Sequence, residues 1–180
     1  MGRTMWDKIS TCVEFDTKNL TWKEVSVTND ERCDAACAVF EGRVVLSGGH
    51  NGKETFNTVE VYDPFGDSWS YMPNIIIGRD RHKSVAVKNK LFVVGGFMEP
   101  TCEVFDSNCG NFVFVATPKT YHDYLHYPSN VISIGNKLVW FSYRLTTILF
   151  YDVENDKWSQ QPLEVTKDID SYCYVKVPQS

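Results

Sequence analysis

The side chains best suited to metal binding or nucleophilic chemistry in this sequence of 180 residues are six cysteines and four histidines. The cysteines form no C-x-x-C pair and have no histidine at the spacing of a zinc site. His122 and His126 stand four residues apart, but outside a helix that spacing does not bring both rings to one side. Cys33 and Cys37 could form a redox-sensing pair, although separate reduced thiols are the alternative. We therefore predict no metal and no cofactor.

The motifs of common catalytic sites are missing from the sequence. It contains no G-x-S-x-G nucleophile motif, no phosphate-binding P-loop and no pair of carboxylates at the end of an expected strand. The sequence therefore predicts a binding protein and not an enzyme.

The densest run of positive charge is Arg79-Asp80-Arg81-His82-Lys83, in a chain whose net charge is −5. The acidic balance disfavours a nucleic acid or an anionic membrane as partner. No apolar run reaches the length of a membrane-spanning helix. The arginines could bind an acidic peptide through bidentate contacts, or the run could be the solvated start of a strand.

The segment 119–127 is a second candidate surface because it is rich in aromatic residues. Tyr121, His122 and His126 lie in it, together with two further tyrosines. Exposed tyrosine and histidine side chains are typical of protein interfaces. Packing of the segment over the surface of the fold is the alternative.

These candidate residues belong to a repeated pattern. In four places an aromatic residue is followed by Asp, and a second aromatic residue lies seven positions after the first. The pairs are Phe15 and Trp22, Tyr62 and Trp69, Phe105 and Phe112, and Tyr151 and Trp158. Their first members are 47, 43 and 46 residues apart, which indicates a structural repeat.

A second block precedes each of the last three aromatic pairs. It contains a short apolar strand, a two-residue turn and a more strongly apolar strand. That strand ends in Gly48-Gly49, in Gly95-Gly96 and, in the third repeat, in Ser142-Tyr143. The aromatic pair adds two more strands, so each repeat of about 45 residues contains four strands. The sequence therefore predicts an all-β propeller.

The glycine pair followed by two aromatic residues seven positions apart resembles the kelch repeat. The resemblance is to the C-terminal part of a kelch propeller of the kelch-like family, without BTB and BACK domains. It implies one propeller domain over 1–180, with complete blades at 32–75, 79–118 and 126–165. A half-blade at 1–27 and a closing strand at 171–178 would form a split fourth blade. Failure to close would leave an open arc whose edges favour self-association.

The resemblance also implies a partner-binding face made by the loops at one end of the blades. On that basis the candidate contact residues are Arg32, His50, Asn51, Lys53, Arg79, Arg81, His82, Met98, Glu99, Tyr121, His126 and Arg144. The residues expected to maintain the repeat are Gly48, Gly49, Tyr62, Trp69, Gly95, Gly96, Phe105, Phe112, Tyr151 and Trp158.

The expected partner is a protein. By resemblance the chain recognises substrates for a cullin-3 ubiquitin ligase, and actin binding is an alternative. A kelch-fold copper oxidase or lyase, and a truncated fragment without an independent role, are the further alternatives. Since no apolar leader follows Met1, a cytoplasmic or cytoskeletal location is expected.

Overall fold

The computed structural model describes residues 11–97, 99–117, 130–141 and 147–162, and these residues form antiparallel β-sheets. An N-terminal hairpin contains β1 (Cys12–Asp16) and β2 (Thr21–Val25). The first sheet contains β3 (Ala36–Phe40), β4 (Arg43–Ser47), β5 (Val59–Asp63) and β6 (Ser68–Met72). The second contains β7 (Lys83–Val87), β8 (Lys90–Val94), β9 (Cys102–Asp106) and β10 (Asn111–Val115). The third contains β11 (Asn130–Ile134), β12 (Lys137–Phe141), β13 (Thr147–Asp152) and β14 (Lys157–Pro162).

Each sheet is a meander in which consecutive strands pair. The turns follow from the sequence: Glu41 and Gly42 have φ angles of 49° and 75°, as the tight turn between two twisted strands requires. The second strand of the second sheet is almost wholly buried. In β8 the side chains from Leu91 to Val94 are all buried, because both faces of this strand are covered.

The hydrophobic core lies between adjacent sheets. One cluster joins Phe40, Val45 and Val59 of the first sheet to Phe105 and Phe112 of the second. Within it the Phe40 and Phe105 rings meet edge to face at 5.9 Å, a favourable geometry for aromatic rings. A second cluster joins the second sheet to the third in the same way.

In the first and third sheets the second aromatic residue of the pair is a tryptophan, and it also links neighbouring sheets by a hydrogen bond. Trp69 Nε1 donates to the carbonyl oxygen of Ser26, which follows β2, at 2.8 Å. Trp158 Nε1 donates to the carbonyl oxygen of Ala116, which follows β10, at 2.6 Å. Phe112 occupies the same position in the second sheet and has no N–H to donate. The aromatic pair therefore faces the preceding sheet.

The all-β fold with four strands per repeat is confirmed. The predicted closing strand at 171–178 and the aromatic segment 119–127 lie outside the described residues, so their pairing and packing stay predictions. None of the described residues forms a helix long and apolar enough to cross a membrane.

Candidate partner-binding surface

Arg79, which was predicted to contact a partner, is buried between the first and second sheets. Its side chain and that of Glu103 are both 0% exposed and form an ion pair with an N–O distance of 2.5 Å. Arg79 Nη1 also donates to the carbonyl oxygens of Gly95 and Thr101, each at 2.8 Å. The guanidinium thus holds together the two ends of the loop between β8 and β9.

Arg32 makes the same contacts one repeat earlier. Its guanidinium pairs with Glu60 at 2.5 Å and donates to the carbonyl oxygens of Gly48 and Thr58 at 2.7 and 3.1 Å. Asp30 provides a further carboxylate at 2.8 Å. Each of these two repeats therefore contains its own buried pair of an arginine and a glutamate, which we call the arginine–glutamate unit.

The glutamate of each unit also holds the linker that enters its sheet. Glu103 accepts hydrogen bonds from the backbone N–H groups of Ile76 and Ile77 at 2.5 and 3.2 Å. Glu60 accepts from the N–H groups of Asn29 and Asp30 at 2.7 and 3.2 Å. A buried carboxylate is tolerated when charge and hydrogen bonds both compensate it. The unit therefore positions the linkers and loops at this end of the sheets, which we call the loop face.

His82 is likewise buried, at the junction of the first and second sheets. Its Nε2 lies 2.8 Å from the hydroxyl oxygen of Ser47, which lies 2.8 Å from that of Ser84. Burial, followed by the positive charge of Arg79, lowers the pKa of His82 to about 3. His82 is therefore neutral at physiological pH.

These positions correct the expected roles of Arg32, Arg79 and His82. Their side chains are buried beneath the loop face, which they support, and are not accessible to a partner. The glutamates Glu60 and Glu103 were not among the predicted residues. The signal for them was present in the sequence, because both stand two positions before the aromatic residue of their repeat. In the third repeat Leu149 takes the glutamate position and His126 the arginine position, so both charges are replaced together.

Arg81 and Phe97 are the large side chains that the loop face exposes beside the junction of the first two sheets. Arg81 Nε donates to Asp34 Oδ2 at 3.0 Å, and its guanidinium carbon lies 5.5 Å from the centre of the Phe97 ring. About half of each side chain is exposed. The hydrogen bond from Arg81 holds the pKa of the Asp34 carboxyl below its ordinary value.

The backbone at these positions is strained. Asp34 and Arg81 have φ angles of 55° and 53°, in the left-handed region that non-glycine residues seldom adopt. They occupy equivalent positions in their repeats, and the Arg81 N–H donates to the Asp34 carbonyl oxygen at 2.8 Å. The chain therefore holds Arg81 in one orientation at the surface.

His50 lies next to this pair. The backbone N–H of Gly52 donates to its Nδ1 at 3.1 Å, which leaves Nε2 as the donor toward Asp34 Oδ2 at 3.4 Å. The Cys33 sulfur lies 3.4 Å from the same nitrogen. The predicted residue His50 thus lies on the loop face beside Asp34 and Arg81, with its own side chain only 12% exposed.

The other described candidates shape the loops. Asn51 Oδ1 accepts from the N–H groups of Lys53 and Glu54 at 2.9 and 3.0 Å, which closes a turn whose tip exposes Lys53. Glu99 accepts from the N–H and hydroxyl groups of Thr101 at 3.0 and 2.6 Å. The remaining predicted contact residues, Met98, Tyr121, His126 and Arg144, lie outside the described residues.

Among the described residues, no group of three or more His, Cys, Asp or Glu side chains could hold a metal ion. Cys33 and Cys37 are free thiols, so the structure does not join them in a disulfide.

The family of the chain follows from comparison with known proteins. The family model of the Kelch motif matches residues 31–75, which include the first arginine–glutamate unit and the whole first sheet. Residues 31–75 therefore contain a kelch repeat. The second and third sheets have the same strand order, so each sheet is a blade of a kelch-type β-propeller, and the aromatic pairs are the counterparts of the kelch signature.

Relatives and a solved structure agree with this assignment. The chain is 37% identical over 83 residues to the spermatocyte protein spe-26 of Caenorhabditis elegans, covering 46% of this chain and 15% of that protein. It is 32% identical over 75 residues to human Kelch-like protein 6, covering 42% of this chain and 12% of that protein. The structure of YjhT matches with a TM-score of 0.72 and 17% identity, covering 88% of this chain and 61% of that one. That likeness concerns the fold alone.

Proposed function

We propose that this kelch scaffold binds a partner protein through the loop face at the junction of its first two blades. Kelch repeats generally mediate protein–protein interaction. The observation that carries the proposal is Arg81, which strained backbone and the Asp34 carboxylate hold half-exposed beside the Phe97 ring. An arginine paired with an aromatic surface is a frequent centre of protein interfaces.

The partner segment that fits this surface combines a carboxylate with an apolar side chain. The carboxylate would bind the Arg81 guanidinium, whose side chain is about half exposed, because a guanidinium binds carboxylates through charge-assisted hydrogen bonds. The apolar side chain would cover Phe97, which is a large exposed hydrophobic residue. Recognition of an acidic segment also suits a chain that is acidic elsewhere, since like charges deter unrelated acidic surfaces.

The finer proposal is that such partners are substrates of a cullin-3 ubiquitin ligase. It is supported by the resemblance to kelch-like proteins, in which the propeller recognises the substrate. The similarity to human Kelch-like protein 6 is consistent with it, although the matched segment is a small part of that protein.

The test is affinity capture from cell lysate with matched variants. Arg81→Glu reverses the charge at the proposed site, and Arg43→Glu reverses an exposed charge at the opposite end of the first blade. Proteins captured by the wild-type chain and by Arg43→Glu, but not by Arg81→Glu, are the expected partners. With one such purified protein, Arg81→Glu should raise Kd at least about tenfold.

Two further measurements separate the alternatives. If the captured partners are ubiquitin ligase substrates, their ubiquitylation in cells should fall when cullin-3 is depleted. Co-sedimentation of the chain with actin filaments, with equal loss for Arg43→Glu and Arg81→Glu, would contradict both the site and the substrate class.

A further inference from the structure

The N-terminal hairpin exposes an aromatic pair that belongs to the kelch signature. Phe15 and Trp22 lie opposite each other on β1 and β2, with ring centres 4.7 Å apart. Phe15 is 41% exposed and Trp22 68%. Val13 and Leu20 of the same hairpin are also exposed. An exposed apolar surface of this kind indicates an interaction site.

The other repeats show what determines the burial of this pair. Phe105 and Phe112, which follow a complete four-stranded sheet, are 8% and 6% exposed. Tyr62 and Trp69, which follow only the two-stranded hairpin, are half-buried. The first aromatic residue of the pair is therefore buried where a complete sheet precedes it, as Tyr151 also is at 3% exposed, whereas Trp158 is half-buried although it follows the second sheet. The pair on the hairpin has no such sheet among the described residues.

The covering surface has a defined composition. In the first sheet it consists of Phe40, Val45, Val59 and Val61, which pack against the aromatic pair of the second sheet. The second sheet presents Val87, Phe92, Cys102 and Val104 at the corresponding positions. An acceptor carbonyl after the fourth strand completes the surface, as for Trp158 and Ala116. The aromatic face of the hairpin therefore fits the outer face of a kelch blade.

The third sheet carries such a face. Its corresponding residues are Ile134, Val139, Ile148 and Phe150. Ile134 is 44% exposed, whereas Phe40 and Val87 at the same position are 4% and 2% exposed. Ile148 and Phe150 are half-buried where their counterparts are buried, and Val139 is buried as its counterparts are. The described residues thus leave the outer face of the third sheet partly uncovered.

We propose that the Phe15–Trp22 face of one chain docks on the outer face of the third sheet of a second copy. The contact would continue the blade–blade interface that already joins the sheets within the chain, with the same apolar positions on both sides. It is a head-to-tail contact between two different surfaces. Two copies can therefore make the contact twice if a twofold axis relates them.

Analytical ultracentrifugation of the whole chain tests the contact. We expect the wild-type chain to associate as its concentration rises. Trp22→Ser and Ile134→Lys alter opposite sides of the contact at exposed positions, so both variants should fold, and each should weaken association at least about tenfold. The matched control is Phe65→Ser, since Phe65 is 100% exposed in a turn away from both surfaces.

A mixture of the two variants distinguishes this contact from other modes of pairing. Trp22→Ser retains an intact third sheet and Ile134→Lys an intact hairpin, so the mixture should form a heterodimer through one intact contact and should associate more tightly than either variant alone. A wild-type chain that stays monomeric would overturn the proposal. Association that survives Ile134→Lys would also overturn it, because it would show hairpin-to-hairpin pairing.

Discussion

Arg79 and Glu103 show how a charged pair can be part of the interior of this protein. The guanidinium reaches two carbonyl oxygens besides the carboxylate, and the carboxylate reaches two backbone N–H groups. The charges therefore compensate each other while the remaining donors and acceptors hold loops. Removing one partner leaves an uncompensated buried charge, whereas removing both does not. The third repeat, with Leu149 at the glutamate position, is consistent with this reasoning.

A double-mutant cycle on this pair tests the compensation. Arg79→Leu and Glu103→Leu should each lower the free energy of unfolding by about 3–5 kcal/mol, because each leaves a buried charge alone. The double variant should lose clearly less than the sum of the two. It should still be less stable than the wild type, since the N–H groups of Ile76 and Ile77 lose their acceptor. Urea denaturation of the four proteins gives the coupling free energy.

The control for the cycle is Arg81→Leu, which removes the ion pair between Arg81 and Asp34. That ion pair is about half exposed, so its removal should change the free energy of unfolding by at most about 1 kcal/mol. Strictly additive losses at Arg79 and Glu103 would show that the two side chains act independently.

His82 makes stability depend on pH. Its pKa is lowered from 6.5 to about 3 by burial and by Arg79, so the unfolded chain binds a proton that the folded chain does not. The free energy of unfolding therefore falls as pH drops from about 6.5 toward 3, because protonation of His82 then favours the unfolded chain. Between pH 7 and pH 5, His82→Gln should remove about 2 kcal/mol of the decline in unfolding free energy. Urea titrations at the two pH values measure it, and an unchanged decline would refute the role of His82.

At the scale of strands and turns, the close approach of the first blade to the linker that follows it requires glycine at position 48. Gly48 has a φ of 58°, and a Cβ placed on it would lie 2.3 Å from the carbonyl oxygen of Arg79. Gly42 also has a positive φ, 75°, but a Cβ there would meet nothing within 4 Å. The two glycines therefore separate the effect of backbone conformation from that of contact.

Alanine at the two glycines should consequently have unequal effects. Gly42→Ala should lower the free energy of unfolding by about 1–2 kcal/mol, the cost of a left-handed alanine. Gly48→Ala should cost about 1–3 kcal/mol more, because Arg79 and the linker around it must shift. Thermal and urea unfolding of the two variants measure the difference. Equal losses would show that the linker yields freely.

At the scale of the whole molecule, the second blade contributes to both hydrophobic clusters. Phe105 packs into the cluster shared with the first blade, and Phe92 into the cluster shared with the third. Both clusters that the described residues form join two blades, as is usual when repeats stack on their neighbours. Stability should therefore spread across blades.

Truncation of one core residue tests this coupling. Phe92→Ala should lower the free energy of unfolding by about 3–5 kcal/mol and should reduce hydrogen-exchange protection in the strands of all three blades. The matched control is Phe114→Ala in the same blade, whose side chain is about half exposed and whose loss should leave protection unchanged. Loss of protection confined to the second blade would show that the blades unfold separately.

The repeat could be predicted from the sequence because strand periodicity and turn chemistry are local. The spacing of Tyr62 and Trp69 follows from two strands joined by a short turn, and their register is observed. The glycine pair at Gly48 and Gly49 could be placed for the same reason. These features depend on neighbours within one blade, and the sequence alone determined them.

The roles of the charged residues were decided only by the tertiary structure. Arg79 and Arg81 stand two positions apart in one basic run, yet Arg79 is buried against Glu103 and Arg81 is half-exposed beside Phe97. Burial depends on what the adjacent blade and the returning loops cover, and the order of residues does not contain that information directly. The exposure of Phe15 and Trp22 has the same cause, because an aromatic pair recurs at the same spacing in every repeat while the sheet that covers it differs.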